Sequence, residues 1–285
     1  MIPAAFDYER AGTIEEALAI LGEHGDEAKV LAGGHSLLPL MKLRLAQPSL
    51  LVDIGRIADL RFIREEEETI VIGALTRHAD LERSDVLARS CPLLAAVAAE
   101  IGDPQVRHRG TIGGSLSHAD PASDLPAAVM ALDAELTIRG ADGSTRTAPA
   151  GTFFRGLFEP DLSPTEMLTE IRVPKPAAGI GWSAIKFHRR AQDWALVGVA
   201  ALTRADGTAR VALTNMADRP IRATAVEEAL ASGADLATAA VQSGEGTSPP
   251  SDIAGSAEYR RALAEILVRR ALEEASARAN ASPDA

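Results

Sequence analysis

Apolar residues along this chain recur in two rhythms, one helical and one alternating. Thr13-Ile-Glu-Glu16 reads as a capping box, and Ala17, Leu18 and Leu21 after it make the stripe of a helix that Gly22 or Gly25 ends. The helical rhythm returns over 77–83 with Thr76 as N-cap, over the Ala- and Leu-rich 85–100, and over 125–132, 224–232 and 257–277. Short apolar or alternating runs at 29–32, 50–54, 69–72, 135–139, 144–147, 166–173, 182–189, 195–203 and 209–216 predict strands. Turn chemistry separates several of them: Ala141-Asp-Gly143 closes a hairpin, Asp206-Gly207 another, and Glu65-Glu-Glu-Glu68 is a solvated turn ahead of the strand at 69–72. Pro160 and Pro164 keep 153–164 out of helix, and 243–250 is an extended loop. In the apolar segment 37–45, Lys42 and Arg44 read as charges snorkelling from its edge.

The rhythm changes character at Pro174-Lys-Pro176 and Ala177-Ala-Gly179, the best linker in the chain. Beyond it, three successive strands and then two helices predict an antiparallel sheet with helices laid on it, an α+β module. A chain of 285 residues has length for more than one lobe.

Composition narrows the function. With 46% hydrophobic and 24% charged residues the chain reads as a soluble globular protein, and a net charge of −11 argues against a nucleic-acid backbone binder. No apolar run approaches the roughly 20 residues of a membrane helix, and the start of the chain lacks the pattern of a signal peptide, so a cytoplasmic setting is expected. Cys91 is the single cysteine, which rules out an intramolecular disulfide and a cysteine-ligated iron–sulfur cluster within this chain. It falls on the apolar face of the helix expected near 86–101 and reads as core. His24, His78, His108 and His118 show no metal-ligand spacing and read as surface or loop residues.

Two glycine loops carry the candidate chemistry. Gly33-Gly34-His35-Ser36 follows a strand directly, and Thr111-Ile-Gly113-Gly114-Ser115 sets a glycine pair between two hydroxyls. Adjacent glycines can take positive φ and bring backbone N–H groups together around an anion, and the hydroxyls add donors. Asp124 downstream is an acceptor suited to sugar or sugar-alcohol hydroxyls. A tight turn inside a sheet would carry the same letters, so each loop alone leaves both readings open. Together they could close on the two phosphates of a pyrophosphate. Arg107 and Arg109, near the second loop, read as solvated.

These motifs resemble a known family. Ala32-Gly-Gly-His-Ser36 with Met41-Lys-Leu-Arg44, Arg109-Gly-Thr-Ile-Gly-Gly-Ser115 with His118-Ala-Asp-Pro121, then Leu168-Thr-Glu-Ile-Arg-Val-Pro174, Lys186 and Ser256-Ala-Glu-Tyr-Arg-Arg261 are similar, in kind and order, to the FAD-binding medium subunit of molybdenum hydroxylases. The similarity is to the aerobic carbon monoxide dehydrogenase type, with the FAD domain of xanthine dehydrogenase more distant. It implies an α+β fold: a two-lobed FAD-binding domain of the vanillyl-alcohol-oxidase (PCMH) type over 1–176, with lobes of about 1–56 and 57–176, and a smaller α+β domain over 177–285 with a three-stranded antiparallel sheet and helices.

The resemblance also implies site residues. Ala32, Gly33, Gly34, His35, Ser36 and Leu37, with Thr111, Gly113, Gly114 and Ser115, would hold the FAD pyrophosphate. Asp124 would bind the ribityl hydroxyls, Leu168 would bring backbone to the cofactor, and Lys186 would sit by the flavin ring, where a cation stabilises charge on reduction. FAD is non-covalent in this family, so His35 reads as a support for the phosphates rather than an attachment point. Relatives commonly carry Tyr beside the Asp of Gln192-Asp-Trp-Ala195; Trp194 stands there in this chain, either covering a flavin face by stacking or packing beneath the sheet.

The implied function is electron transfer. A large molybdopterin subunit and a small subunit with two [2Fe-2S] clusters, assembled as a dimer of heterotrimers, would pass electrons to FAD here and on to a quinone, O2 or NAD+, with any membrane association only peripheral and through the complex. No residue of this chain is then needed as nucleophile or general base. A self-sufficient flavin oxidase or reductase, which predicts turnover by the isolated chain, and a non-redox nucleotide-binding module, which predicts binding without flavin reduction, are the alternatives.

Overall fold

All nine strands expected from the apolar runs are present in the computed structural model, which describes residues 2–177, 179–204 and 206–281. Ala178 of the expected linker and residues 282–285 lie outside the described residues.

The first lobe runs β1 (Asp7–Arg10), α1 (Ile14–His24), β2 (Ala28–Leu31), α2 (Leu37–Lys42) and β3 (Leu50–Asp53), with a parallel sheet in the order β1-β3-β2. Thr13 caps α1 as expected, its hydroxyl accepting the Glu16 N–H at 3.1 Å. The Glu16 carboxylate reaches one residue further back and accepts from Gly12 N–H at 2.6 Å. Leu18 and Leu21 of α1 meet Val52 and Ile54 in a small core. β1 has no apolar signature, because all four of its residues are exposed at the sheet edge.

The second lobe holds β4 (Ile63–Glu65), β5 (Thr69–Gly73), α3 (His78–Glu82), α4 (Asp85–Ser90), α5 (Pro92–Ala99), α6 (Pro104–Arg109), α7 (Ile112–His118), α8 (Asp124–Ala131), β6 (Glu135–Gly140), β7 (Thr145–Pro149), α9 (Ala150–Phe153), β8 (Phe154–Gly156), β9 (Glu159–Pro160) and β10 (Glu166–Pro174). Its antiparallel sheet, β4-β5-β10-β6-β7, is backed by α5, α7 and α8 around one large core. Three expectations need correction. The single helix at 85–100 is two, because Pro92 starts a new helix and Cys91 leaves helical geometry at φ −156°. Arg77, not Thr76, caps α3; the Thr76 hydroxyl donates to the Phe62 carbonyl instead. The glycine-rich stretch after Arg109 is a helix, not a loop. Cys91 is fully buried as expected, and burial pushes its thiol up to about 12.

Arg146 ties the far edge of this sheet together, donating to Glu166 at 2.7 and 2.9 Å and to Asp161 at 3.1 Å. The guanidinium holds the Glu166 carboxyl down at about 2, against 4.5 for a free glutamate. A depressed carboxylate stabilises the fold above its unfolded value and loses that contribution as pH falls through the folded one. Glu166→Gln is therefore expected to cost about 2 kcal/mol at neutral pH, discounted because Arg146 is partly exposed, and to flatten the loss of stability between about pH 4.5 and 2. Urea unfolding across that range measures both.

The last domain contains β11 (Gly181–Phe187), β12 (Val197–Thr203), β13 (Ala209–Thr214), β14 (Ile221–Arg222), α10 (Thr224–Ala231), α11 (Leu236–Val241) and α12 (Ala257–Ala281). Its antiparallel sheet has four strands, β11-β12-β13-β14, one more than the three expected; β14 is two residues long, too short to show as a periodic run. α11 is likewise short and went unexpected. β12 is buried along its whole length because the sheet is covered on both faces. Val197, Val199 and Ala201 face α10–α12, whereas Ala200 and Leu202 face the second lobe. The same alternation on β11 sends Ile185 toward the helices and Trp182, Ala184 and hence Lys186 toward the second lobe.

Candidate cofactor site

The first glycine loop leaves β2 where its pairing with β3 ends, at Leu31 opposite Asp53. It bends through Gly34 at φ +80°, a conformation that side chains rarely adopt. The Gly34 and Ser36 carbonyls accept from Leu38 and Leu40 N–H to start α2. The N–H groups of Gly33, Gly34, His35, Ser36 and Leu37 find no acceptor among the described residues. Five successive free donors on a bent loop make a receptor for anionic oxygens.

The second glycine pair works differently from the expected nest. Gly113 and Gly114 lie in the first turn of α7, and neither has positive φ. Ile112 N–H donates to the Thr76 carbonyl at 3.0 Å and Gly113 N–H to the Ala74 carbonyl at 2.9 Å. Gly114 N–H goes to the Thr111 hydroxyl at 3.2 Å. These amides are spent on holding the turn to the chain after β5. Gly113 serves packing, since a Cβ there would lie 2.5 Å from the Cβ of Ala74. The groups left for a ligand are hydroxyls: Ser115, and Thr111, which accepts one bond and still has its proton to donate.

Gly33 joins the two segments. A Cβ on Gly33 would stand 2.3 Å from the Arg109 carbonyl oxygen and 2.9 Å from the Gly110 Cα, so the loops touch backbone to backbone. The loop with the free amides thus abuts the segment that leads into Thr111 and α7.

Asp124 and Lys186, predicted separately, meet across the domains. Lys186 Nζ donates to Asp124 Oδ2 at 2.8 Å and to the Glu100 carbonyl at 2.9 Å. The two side chains are 9% and 12% exposed respectively. Burial pushes the Asp124 carboxyl up, and the Lys186 ammonium pulls it back down. Space for about 20 Å³, roughly one water, lies beside them, lined by Val97, Glu100 and Thr214. Breaking such a pair from one side strands a buried charge. Asp124→Ala is expected to cost about 3 kcal/mol in denaturant unfolding, and the double variant Asp124→Ala/Lys186→Met distinctly less.

The remaining expected residues are placed individually. Leu168 is buried in β10 next to a bulge, its side chain in the core, so only its backbone is free to face a ligand. Trp194 is 59% exposed on the loop from β11 to β12, which excludes packing beneath the sheet. Its loop is pinned by Arg260 of the Ser256–Arg261 motif, which, buried at the start of α12, donates to the Leu196 carbonyl and to both oxygens of Asp252. His78 is 5% exposed, not a surface residue. Arg107 is not solvated either; it pairs with Glu82 at 2.9 Å and donates to the carbonyls of Ile101 and Gly102.

Comparison with known proteins identifies the family. Residues 4–176 match the model of the FAD binding domain in molybdopterin dehydrogenase, and residues 183–275 that of the CO dehydrogenase flavoprotein C-terminal domain. The chain is 44% identical to the carbon monoxide dehydrogenase medium chain of Hydrogenophaga pseudoflava, covering 98% of this chain and 99% of that one. It is 40% identical to the 6-hydroxypseudooxynicotine dehydrogenase complex subunit alpha of Paenarthrobacter nicotinovorans, covering 98% and 97%. The solved carbon monoxide dehydrogenase of Hydrogenophaga pseudoflava, in a form lacking the Mo-pyranopterin moiety of its cofactor, superimposes with a TM-score of 0.94 at 46% identity over 98% of this chain and 99% of that one. With free amides over a cradle that a single Cβ would fill, joined to an α+β domain of matching type, the chain belongs to the FAD-binding medium subunits of the molybdopterin dehydrogenases, a family of oxidoreductase subunits.

Proposed function

We propose that this chain holds FAD non-covalently and is the electron-transfer subunit of a heteromeric molybdenum hydroxylase. A large molybdopterin subunit and a small [2Fe-2S] subunit are its partners, as a cytoplasmic dimer of heterotrimers. Bound FAD supplies the chemistry of accepting electrons from iron–sulfur clusters and delivering them to an outside acceptor: a quinone, O2 or NAD+.

The reading is carried by the backbone contact of Gly33 with Arg109 and Gly110, which sets the loop of five unpaired amides beside the segment that leads into Thr111 and Ser115. In this reading Ala32, Gly33, Gly34, His35, Ser36 and Leu37 bind a pyrophosphate with Thr111, Gly113, Gly114 and Ser115, the last group through hydroxyls and packing rather than amides. Asp124 keeps Oδ1, the oxygen that Lys186 does not take, as an acceptor for a ribityl hydroxyl. Lys186 has three ammonium hydrogens and spends two on Asp124 and Glu100, which leaves one for a ligand. Trp194 offers an exposed ring on the same β11–β12 hairpin. The three sheets β1-β3-β2, β4-β5-β10-β6-β7 and β11-β12-β13-β14 support the division into lobes of about 1–56 and 57–176 and a domain of 177–285, with core packing shared across both boundaries. Relatives that serve carbon monoxide and 6-hydroxypseudooxynicotine dehydrogenases support placing substrate choice on a partner subunit.

An absorption spectrum of the purified chain, alone and with what co-purifies from its host, tests this. Visible flavin bands with FAD released on denaturation, and iron–sulfur absorbance only when partners are present, are the expected results. A colourless chain that takes up no FAD on reconstitution would sink the reading.

A further inference from the structure

Arg77 is a cation with nothing in the chain to balance it. It forms an isolated antiparallel bridge with Thr111, just ahead of α3 and α7. The flanking bonds run from His78 N–H to the Gly110 carbonyl and from Ile112 N–H to the Thr76 carbonyl, both at 3.0 Å. Arg77 and Thr111 are thus the pair that exchanges no bond of its own. In such a pair the Cα atoms lie about 4.5 Å apart and both side chains leave from one face of the ribbon. Thr76 and His78 leave from the other face, Thr76 to the Phe62 carbonyl and His78 against Gly110. The Arg77 side chain therefore starts beside that of Thr111, just past the Arg109–Gly110 backbone that Gly33 touches.

The guanidinium is half-buried, and it has no hydrogen-bond or ion-pair partner among the described residues. Both acids of α3 are engaged with other arginines, Asp80 with Arg61 and Glu82 with Arg107, each at 2.9 Å. Arginine is also a poor residue to head a helix. The N-cap position favours Ser, Thr, Asp and Asn, whose oxygens accept the free N–H groups of the first turn. A guanidinium has no acceptor to offer and adds positive charge to the positive end of the helix. At the head of α3 the Arg77 backbone N–H is bonded to Asp80 at 3.3 Å, but its side chain makes no capping bond. A local rule broken with no compensation inside the chain points to a partner outside it.

We propose that Arg77 is the cation of the anion site: its guanidinium binds a phosphate oxygen beside the Thr111 hydroxyl and balances the charge of the cofactor's pyrophosphate. The inference rests on the FAD reading and extends it to a residue that no glycine motif marks. Backbone amides and hydroxyls supply donors to a pyrophosphate but no net charge. A guanidinium supplies both, through charge-assisted bonds roughly twice as strong as neutral ones. Having no acid to leave, Arg77 can turn to a phosphate without breaking an existing pair. Its unfavourable place at the head of α3 is then a stability cost that binding offsets.

Arg77→Thr separates binding from folding, because it removes the cation and supplies an N-cap oxygen. The full chain, freed of flavin, is titrated with FAD at low and high salt, and a melting curve is taken of each FAD-free variant. Arg77→Thr is expected to bind FAD about tenfold or more weakly, to lose part of the salt dependence of the wild type, and to melt no lower than it. Arg77→Lys is expected to recover part of both the affinity and the salt dependence. Arg83→Met removes an exposed charge from the far end of α3 and is expected to bind FAD as the wild type does. Wild-type affinity in Arg77→Thr overturns the inference and leaves the FAD reading standing. Weaker binding that comes with a lower melting temperature, or with unchanged salt dependence, gives Arg77 a purely structural role and overturns the inference too. Absence of FAD binding by the wild type overturns the cofactor reading itself, and the inference with it.

Discussion

Gly33→Ala is expected to strip the chain of its cofactor while leaving the fold intact. The added Cβ would stand 2.3 Å from the Arg109 carbonyl oxygen, a contact that no rotamer relieves because both groups are backbone. The loops must part, and the free amides shift relative to the 109–110 backbone. Overpacking of this kind costs about 1–3 kcal/mol, which falls here on binding and corresponds to roughly tenfold to a hundredfold weaker FAD affinity. Flavin fluorescence during titration of the FAD-free protein reads the loss, and a melting curve shows whether folding is spared. Gly151→Ala is the control, since nothing lies within 4 Å of a Cβ there. Unchanged affinity in Gly33→Ala would show that the loop contact is irrelevant to the cofactor.

The second large effect is on stability. Gly181 opens β11 beneath the long helix α12, and a Cβ there would sit 1.8 Å from the Ala275 carbonyl oxygen and 2.6 Å from the Ala279 nitrogen. The helix lies on the strand with no side chain between them, which is why alanines occupy 271, 275 and 279 on its buried face. Gly181→Ala has to lift α12 off the sheet. A loss of about 3 kcal/mol is expected, or a fall of roughly 10 °C in the melting temperature of the domain that α12 closes. A melting curve matching the wild type would mean that α12 does not rest on β11 as described.

The fold was legible wherever burial has a period. All nine expected strands were found because each presents at least one face to a core, and β12, buried on both faces, reads as an unbroken apolar run. β1 was invisible because Asp7–Arg10 bury nothing and are held by parallel pairing and by Tyr8 and Arg10 side chains on Asp53 rather than by apolar packing. The break at Cys91 was written in Pro92, but Ala- and Leu-rich residues on either side continue the same rhythm and conceal it. At the site, residue types announced the loops but not their division of labour. Two Gly-Gly-Ser letters look alike, although one loop leaves five amides free and the other spends its amides on Ala74 and Thr76. Pairings between residues far apart in the chain were out of reach of local pattern: Asp124 with Lys186 across the domains, and Arg260 with Leu196 and His78 on Gly110 within them.

The position of α12 in the chain orders events during synthesis. Both glycine loops and the strands of the two lobe sheets are made by Pro174, and the first lobe's core is complete by then with Leu75 and Met167, whereas the second lobe's core still lacks Ala200, Leu202 and Ala212 of the last domain. The hairpin bearing Lys186 and Trp194 cannot settle then, because one face of its sheet waits for Leu263, Leu267, Val268 and Ala271, and its loop waits for Arg260. On the proposed reading, a newborn chain therefore has the glycine loops before Lys186 and Trp194 are in place. On the proposed reading, seating of the cofactor waits for α12, and a ribosome stalled ahead of residue 257 would leave the glycine loops made but the Lys186–Trp194 hairpin unsettled.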